Sequence, residues 1–377
     1  MASKNTKETL SISMEDQKIK IRNLIKGVYD IQKLRIATGN RIVQSFNIQM
    51  GQAPSTKQDD MEDEAQSMIK KLRAEYKRIT DAYISKSYVV KVKKDGDTIE
   101  NEIKLGTNSG IEKIIKTMQK DENAEISLIK SKLDYELMGT YMSLIETEEQ
   151  MTKIIDKEVK AHPLWDAFFK DVKGCGPLMS AVCIAYFDIH KARHVSSFWK
   201  YAGLDTVDVE RPKVLGYDDK GKAIISENET EHVREGRQRK HTETFEYVTK
   251  DGEKATKRGL TYNTEVKTKL CGVLGSCFLK SPGSYYEQIY RDYRNRLDNR
   301  VDIQGYTAAH KHKMANRYMI KQFVRDLWVC WRALEGYVVT EPYEVAYLGR
   351  APHKYNEYHD RVAKQTKEER KNNNTEE

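Results

Sequence analysis

Apolar positions between residues 17 and 46 recur at steps of three, four or twice four: Ile21, Leu24, Val28, Ile31, Leu34, Ile42 and Phe46. That period predicts one long amphipathic helix. Its polar face carries Lys18, Lys20, Arg22, Lys26, Lys33, Arg35 and Arg41. Such a face is either simply solvated or a basic strip lying along a phosphate backbone. Gly51 to Asp60, with Pro54, reads as a loop. Helical spacing returns over 61–85, with Met68, Leu72, Tyr76, Ile79 and Tyr83 on one stripe. The period then drops to two. Ser87 to Val92 and Thr98 to Leu105 flank an Asp95-Gly96 turn, which predicts a β-hairpin at about 87–105. Over 127–160, Leu137, Tyr141, Leu144, Glu148, Met151 and Ile155 form a heptad seam with one polar member. A seam this short serves either a helix pair within the chain or a coiled coil between copies.

The pattern changes after Pro163, where aromatic residues and glycines become frequent. Residues 205–260 read as a polar, β-rich insertion with turn signals at Asp219-Lys220-Gly221 and Asp251-Gly252. Residues 262–280 and 307–336 read as helices, and the charged, Asn-rich stretch from Lys364 as disordered. The expected fold is mainly α: a helical N-terminal stalk or coiled coil, then a helical domain containing a helix-hairpin-helix, with small β-hairpin insertions. The expected divisions are a basic helical arm at 1–55, the stalk at 56–160, a DNA-binding domain at 161–340 and a partly disordered tail at 341–377.

Composition narrows the class. No run approaches 18 apolar residues and Met1 to Leu10 holds no apolar signal segment, so a membrane span and a secretory leader are not expected. Five scattered cysteines with no Cys-x-x-Cys argue against a disulfide framework or a cysteine zinc cage. A cytoplasmic setting follows, nucleoid-associated in a prokaryote or encoded by a phage or mobile element. The net charge is +8, from 65 Lys and Arg against 57 Asp and Glu. Half of that excess lies between Ser281 and Glu335, where ten cations face six acids.

Within 172–181, the order Val-Lys-Gly-Cys-Gly-Pro-Leu-Met-Ser-Ala joins two apolar segments, the first carrying Trp165, Phe168, Phe169 and Val172 as one helix. Gly174 and Gly176 admit unusual φ values, and Pro177 suits a helix start. Helix N-termini attract phosphate. Lys173, Gly174, Cys175, Gly176, Leu178 and Ser180 are therefore candidate contacts to a DNA backbone; the alternative is a tight turn used for packing. Arg258, Arg291, Arg294, Lys311, Lys313, Arg317 and Lys321 are the further candidate contacts. The alternation Tyr290-Arg291-Asp292-Tyr293-Arg294 suits phosphate contact plus stacking. Phe323, Val324, Leu327, Trp328 and Trp331 share a core spacing. His310 and His312 are two apart and do not share a helix face, so they read as a basic helix start rather than a metal pair. Cys271 and Cys277 read as core residues.

After the Gly-x-Gly-Pro hairpin the chain continues through Asp188-Ile189 to Tyr201-Ala202-Gly203-Leu204. Lys257-Arg258-Gly259, Ser281-Pro282 with Tyr285-Tyr286, and basic stretches at 291–300 and 310–335 follow in order. In this series the chain resembles the C-terminal transposase domain of the IS-one-ten, bridge-RNA-guided family of insertion-sequence transposases, over roughly 130–340. The resemblance implies double-stranded DNA as partner, a structured RNA as a further one, and assembly into dimers or tetramers through the stalk. It also implies strand exchange by a serine nucleophile, with a divalent metal such as Mg²⁺ held by four acids of a nuclease-like domain. No cofactor is identified in the chain itself, and the first 85 residues are mainly helical, unlike that domain. The family's Ser-Ser-Gly-like loop is replaced by an interval whose one serine is Ser226, with Arg234, Arg237, Arg239, Lys240 and His241 nearby in sequence. Ser226 is thus either the nucleophile, activated by a cationic neighbour, or an ordinary hairpin serine. The expected function is DNA binding of transposase or recombinase type, with a non-catalytic accessory protein and a coiled-coil scaffold as alternatives.

Overall fold

The computed structural model describes residues 14–49, 63–94, 97–217 and 223–340. The expected loop at 51–60, the turns at 95–96 and 219–221, and the tail from 341 lie outside the described residues. The protein is mainly helical, with three small antiparallel hairpins among the described residues. It divides into two compact units, one formed by Asn23–Ile154 and the other by Met1–Arg22 with Ile155–Glu377. The division falls within α1 (Met14–Gln49) and α4 (Lys132–Lys160).

In the first unit, α1 continues into α2 (Asp63–Ser85), β1 (Ser87–Lys94), β2 (Asp97–Lys104), α3 (Ile111–Lys120) and α4. The core gathers Ile42, Phe46, Leu72, Ile79, Ile114, Ile129, Met138 and Tyr141. Strands β1 and β2 pair from Ser87 opposite Lys104 to Lys94 opposite Asp97. Tyr88 and Val90 face the core while Val89 faces outward, as a period of two requires. Leu34, placed on the apolar stripe of α1 by its spacing, is 54% exposed, because burial on α1 stops after Val28 and resumes near Ile42.

The polar member of the heptad seam is used within the chain. Glu148 accepts Gln32 Nε2 at 2.8 Å and Arg35 Nε at 2.7 Å. The buried Glu75 carboxylate accepts the backbone N–H groups of Ser127, Leu128 and Ile129 at 2.8 to 3.1 Å. It thereby holds the loop that leads into α4. A reciprocal cap follows: Asp134 accepts the Ser131 N–H at 3.0 Å and Ser131 Oγ accepts the Asp134 N–H at 3.1 Å.

The second unit runs through α5 (Pro163–Ala167), α6 (Pro177–Tyr186), α7 (Val195–Tyr201), β3 (Thr206–Tyr217), β4 (Ala223–Gly236), β5 (Thr242–Val248) and β6 (Lys254–Leu260). It then adds α8 (Thr264–Thr268), a π-helical turn (Lys269–Leu274), α9 (Gly275–Leu279), α10 (Tyr285–Asp298) and α11 (Ala308–Leu334). Helices α6 and α11 form its centre, with Met179 to Tyr186 and Gln322 to Trp331 buried. Asp326 is fully buried against Arg325 Nη2 at 3.0 Å and the Tyr286 hydroxyl at 2.9 Å. A buried charge persists when it is paired in this way.

The stretch 165–172 is not the single helix its apolar residues suggested. Helix α5 ends at Ala167, Phe168 leaves helical geometry, and Phe169–Asp171 form one 3-10 turn. All four of Leu164, Phe168, Phe169 and Val172 are buried, so the chain bends to place every one of them inside.

Candidate nucleic-acid interface

Charge separates the two units. Residues 23–154 hold 21 Lys and Arg against 21 Asp and Glu, so the whole excess of +8 belongs to the other unit. Within that unit the β3–β4 hairpin, residues 206–236, carries five cations against eight acids. The positive excess therefore lies outside this arm.

The hairpin at 172–180 is largely a joint of the fold. Gly174 sits at φ +95, and a Cβ there would meet the Phe278 ring at 2.9 Å. Cys175 and Ser180, expected to touch DNA, are buried, with Sγ and Oγ 3.6 Å apart. Burial pushes the Cys175 thiol up to about 12. The Ser180 hydroxyl donates to the Gly176 carbonyl at 3.1 Å. Ser180 faces inward because α6 is buried along its whole length from Met179 to Tyr186. Leu178 is half-buried. What remains at the surface is Gly176, at the start of α6, and Lys173, whose ammonium donates to the Pro282 carbonyl at 2.7 Å.

Three of the cations assigned to DNA hold the protein together instead. Arg317 Nε donates to the Leu204 carbonyl at 3.0 Å, and its Nη2 donates to the Asp205 carbonyl. Its guanidinium lies where a Cβ on Gly236 would be. Lys267 donates to the Arg237 carbonyl at 2.5 Å, and Arg237 clasps the Asp205 carboxylate at 2.8 to 3.1 Å. Desolvation holds both Arg317 and Lys267 below their usual pKa values. These residues lock the root of the β3–β4 hairpin. Lys311 is buried and pairs with Asp298 at 3.3 Å. Lys321 is half-buried over the Trp199 ring, 4.2 Å from its centre.

The outer end of α10 and the start of α11 are different. Leu297, Ile303 and Ala315 form a small core beneath them. Above it, Tyr293 stacks on Tyr318 at 4.1 Å, Tyr306 on His310 at 4.5 Å, and the Tyr290 hydroxyl meets His312 Nδ1 at 2.7 Å. Arg296 lies over Tyr293 at 5.7 Å, and Arg296, Tyr306, His310 and Lys313 are all exposed. Arg291 pairs with Glu287, and Arg294 with Asp298 at 3.0 Å. Thr307 Oγ1 caps α11 by accepting the His310 N–H at 3.2 Å. Arg296, Tyr306 and His310 were not singled out as contacts by the sequence reading. The signal available for Arg296 was the same Arg–Tyr interleaving, continued two residues further.

Arg258 is exposed on β6 and donates to Thr242 Oγ1 at 2.6 Å. Ser226 is not arranged as a nucleophile. Its Oγ accepts the Asn228 and Glu229 N–H groups at 3.4 and 3.1 Å, closing a turn within β4. Ile225 pairs with Val214 and Arg234 with Asp208, so about six residues of β3, roughly 20 Å at the usual rise, separate the Ser226 end of the hairpin from Arg234. Arg237 to His241 lie beyond the strand's end, where Arg237 is committed to Asp205, and Lys240 and His241 to Glu235. Sequence proximity failed here because an extended strand separates neighbours quickly.

Among the described residues no group of three or more His, Cys, Asp or Glu could hold a metal ion, and no helix is long and apolar enough to cross a membrane. Comparison of the chain with models of known families, with characterised proteins and with solved structures finds no match.

Proposed function

We propose that this chain is a DNA-binding protein of transposase type that grips the phosphate backbone of a duplex with the α10–α11 pair. The observation that carries the reading is the exposed set Arg296, Tyr306, His310 and Lys313, on the unit that holds the entire positive excess. Cations neutralise phosphates, and exposed rings pack on sugars or bases. The resemblance to the insertion-sequence transposases supports the same partner. The turn closed by Ser226 favours a binding role over strand cleavage for the described residues.

The test is binding of a labelled duplex across a salt series. The affinity should fall steeply with salt, and R296A/K313A should flatten the logarithmic slope by about 1.8, the loss of two phosphate contacts. An affinity indifferent to salt sinks the proposal. A protein–DNA adduct abolished by S226A would restore the catalytic reading.

A further inference from the structure

Helix α2 of the Asn23–Ile154 unit contains the run Lys70-Lys71-Leu72-Arg73-Ala74-Glu75-Tyr76-Lys77-Arg78. Read linearly, it is five cations softened by one acid. The structure removes that acid from the surface. Glu75 points inward, 5% exposed, and its carboxylate is spent on the backbone of 127–129. Arg78 is spent as well, on the Ala124 and Glu125 carbonyls and the Glu125 carboxylate. Lys70, Lys71, Arg73 and Lys77 are exposed and form no ion pair with any described residue.

Lys70, Arg73 and Lys77 are spaced by three and four, so they share one face of the helix, opposite buried Leu72 and Ile79. Asp81 closes this ridge one turn later. Arg73 also rims an open cavity of about 440 Å³, with Lys153 on the same rim and Glu149 as the acid there that no described residue pairs. Three cations of one sign on one face, in a unit of zero net charge, are a local field rather than a mixed solvated surface.

We propose that this ridge is a second, separate binding surface for a nucleic-acid phosphate backbone. Seven residues of helix span about 10.5 Å. Successive phosphates of one strand advance about 3.4 Å along a duplex, so four phosphates, separated by three steps, cover about 10 Å. The ridge thus presents three cations along the length of four consecutive phosphates. With α10–α11 on the other unit, the chain would hold two nucleic-acid segments at once. The bridging part of this inference rests on the proposed function; the ridge itself does not.

The experiment uses the full chain, with a 20-base-pair DNA duplex and a folded RNA hairpin as separate probes. Sedimentation reads the number bound, and a salt series reads the slope. Wild-type protein should bind two segments. K70A/R73A/K77A should bind one, and the slope of the lost site should be about 2.7, a roughly 40-fold weakening between 0.05 and 0.2 M salt. K70R/K77R should keep the site, and an unchanged melting curve excludes unfolding. Whichever probe loses its second copy in the triple variant identifies the backbone, DNA or RNA, that the ridge holds. One bound segment that survives the triple variant and is lost in R296A/K313A overturns the ridge and leaves α10–α11 standing. The reverse pattern upholds the ridge and overturns α10–α11. Binding of neither probe at 0.05 M salt overturns both.

Discussion

Replacing Arg317 by Leu separates two roles that look alike in sequence. If Arg317 contacted DNA, its loss would lower the salt slope by about 0.9 and leave the fold alone. The structure demands the opposite. Its guanidinium supplies donors to two carbonyls, those of Leu204 and Asp205, at the base of the β3–β4 hairpin. A half-buried carbonyl left without its charged donor costs on the order of 1–2 kcal/mol. Two of them give about 3 kcal/mol. Relief of the repulsion with Lys267, whose pKa Arg317 helps to depress, returns part of that. The net expectation is a loss of about 2 kcal/mol in urea unfolding, with the salt slope of DNA binding unchanged. G236A should fall in the same class, because its methyl would occupy the place of the guanidinium. An R317L protein that unfolds like wild type yet loses a unit of salt slope would refute the assignment of Arg317 as a clasp.

Two further outcomes follow from buried polar groups. E75Q replaces one acceptor oxygen by an amide that faces the Leu128 or Ile129 N–H, and should cost about 2–4 kcal/mol in chemical denaturation. A cost under about 0.5 kcal/mol would mean that the loop at 125–129 does not depend on this carboxylate. His162 caps α5 by accepting the Leu164 N–H at Nδ1, 3.2 Å away, and desolvation lowers its pKa. The unfolded chain therefore binds the proton more readily, and this residue's stabilisation is complete above pH 6.5 and is lost as pH falls towards the depressed value. Thermal melts from pH 7.5 to 5 should show a smaller decline in H162N than in wild type; parallel declines would remove His162 from the acid response.

Much of the fold was legible because helices and hairpins are local solutions. The stripe Met68, Leu72 and Ile79 on α2, the pairing of 87–94 with 97–104, and Thr307 and Pro177 at helix starts depend on residues within a few positions of one another. The sequence also placed half of the positive excess at 281–335, and the core positions Phe323, Val324, Leu327, Trp328 and Trp331 are all buried.

The destination of individual charged and polar side chains was not legible. Arg296 and Arg317 are the same residue type on neighbouring helices; one lies over a tyrosine at the surface and the other grips two carbonyls from a distant segment. Ser226 had cations nearby in sequence, and an extended strand carried them away. Glu75, the one acid within the basic run 70–78, turns inward to meet backbone 52 to 54 residues further on. Glu148 looked like a seam's polar exception and was answered by Gln32 and Arg35. The sequence by itself determined most of the helices and hairpins and most of the residues that prefer the interior, since periodicity is a short-range property. Only the tertiary structure decided which cations stay free for a polyanion, because a charge is spent or spared by partners that the chain brings from far away.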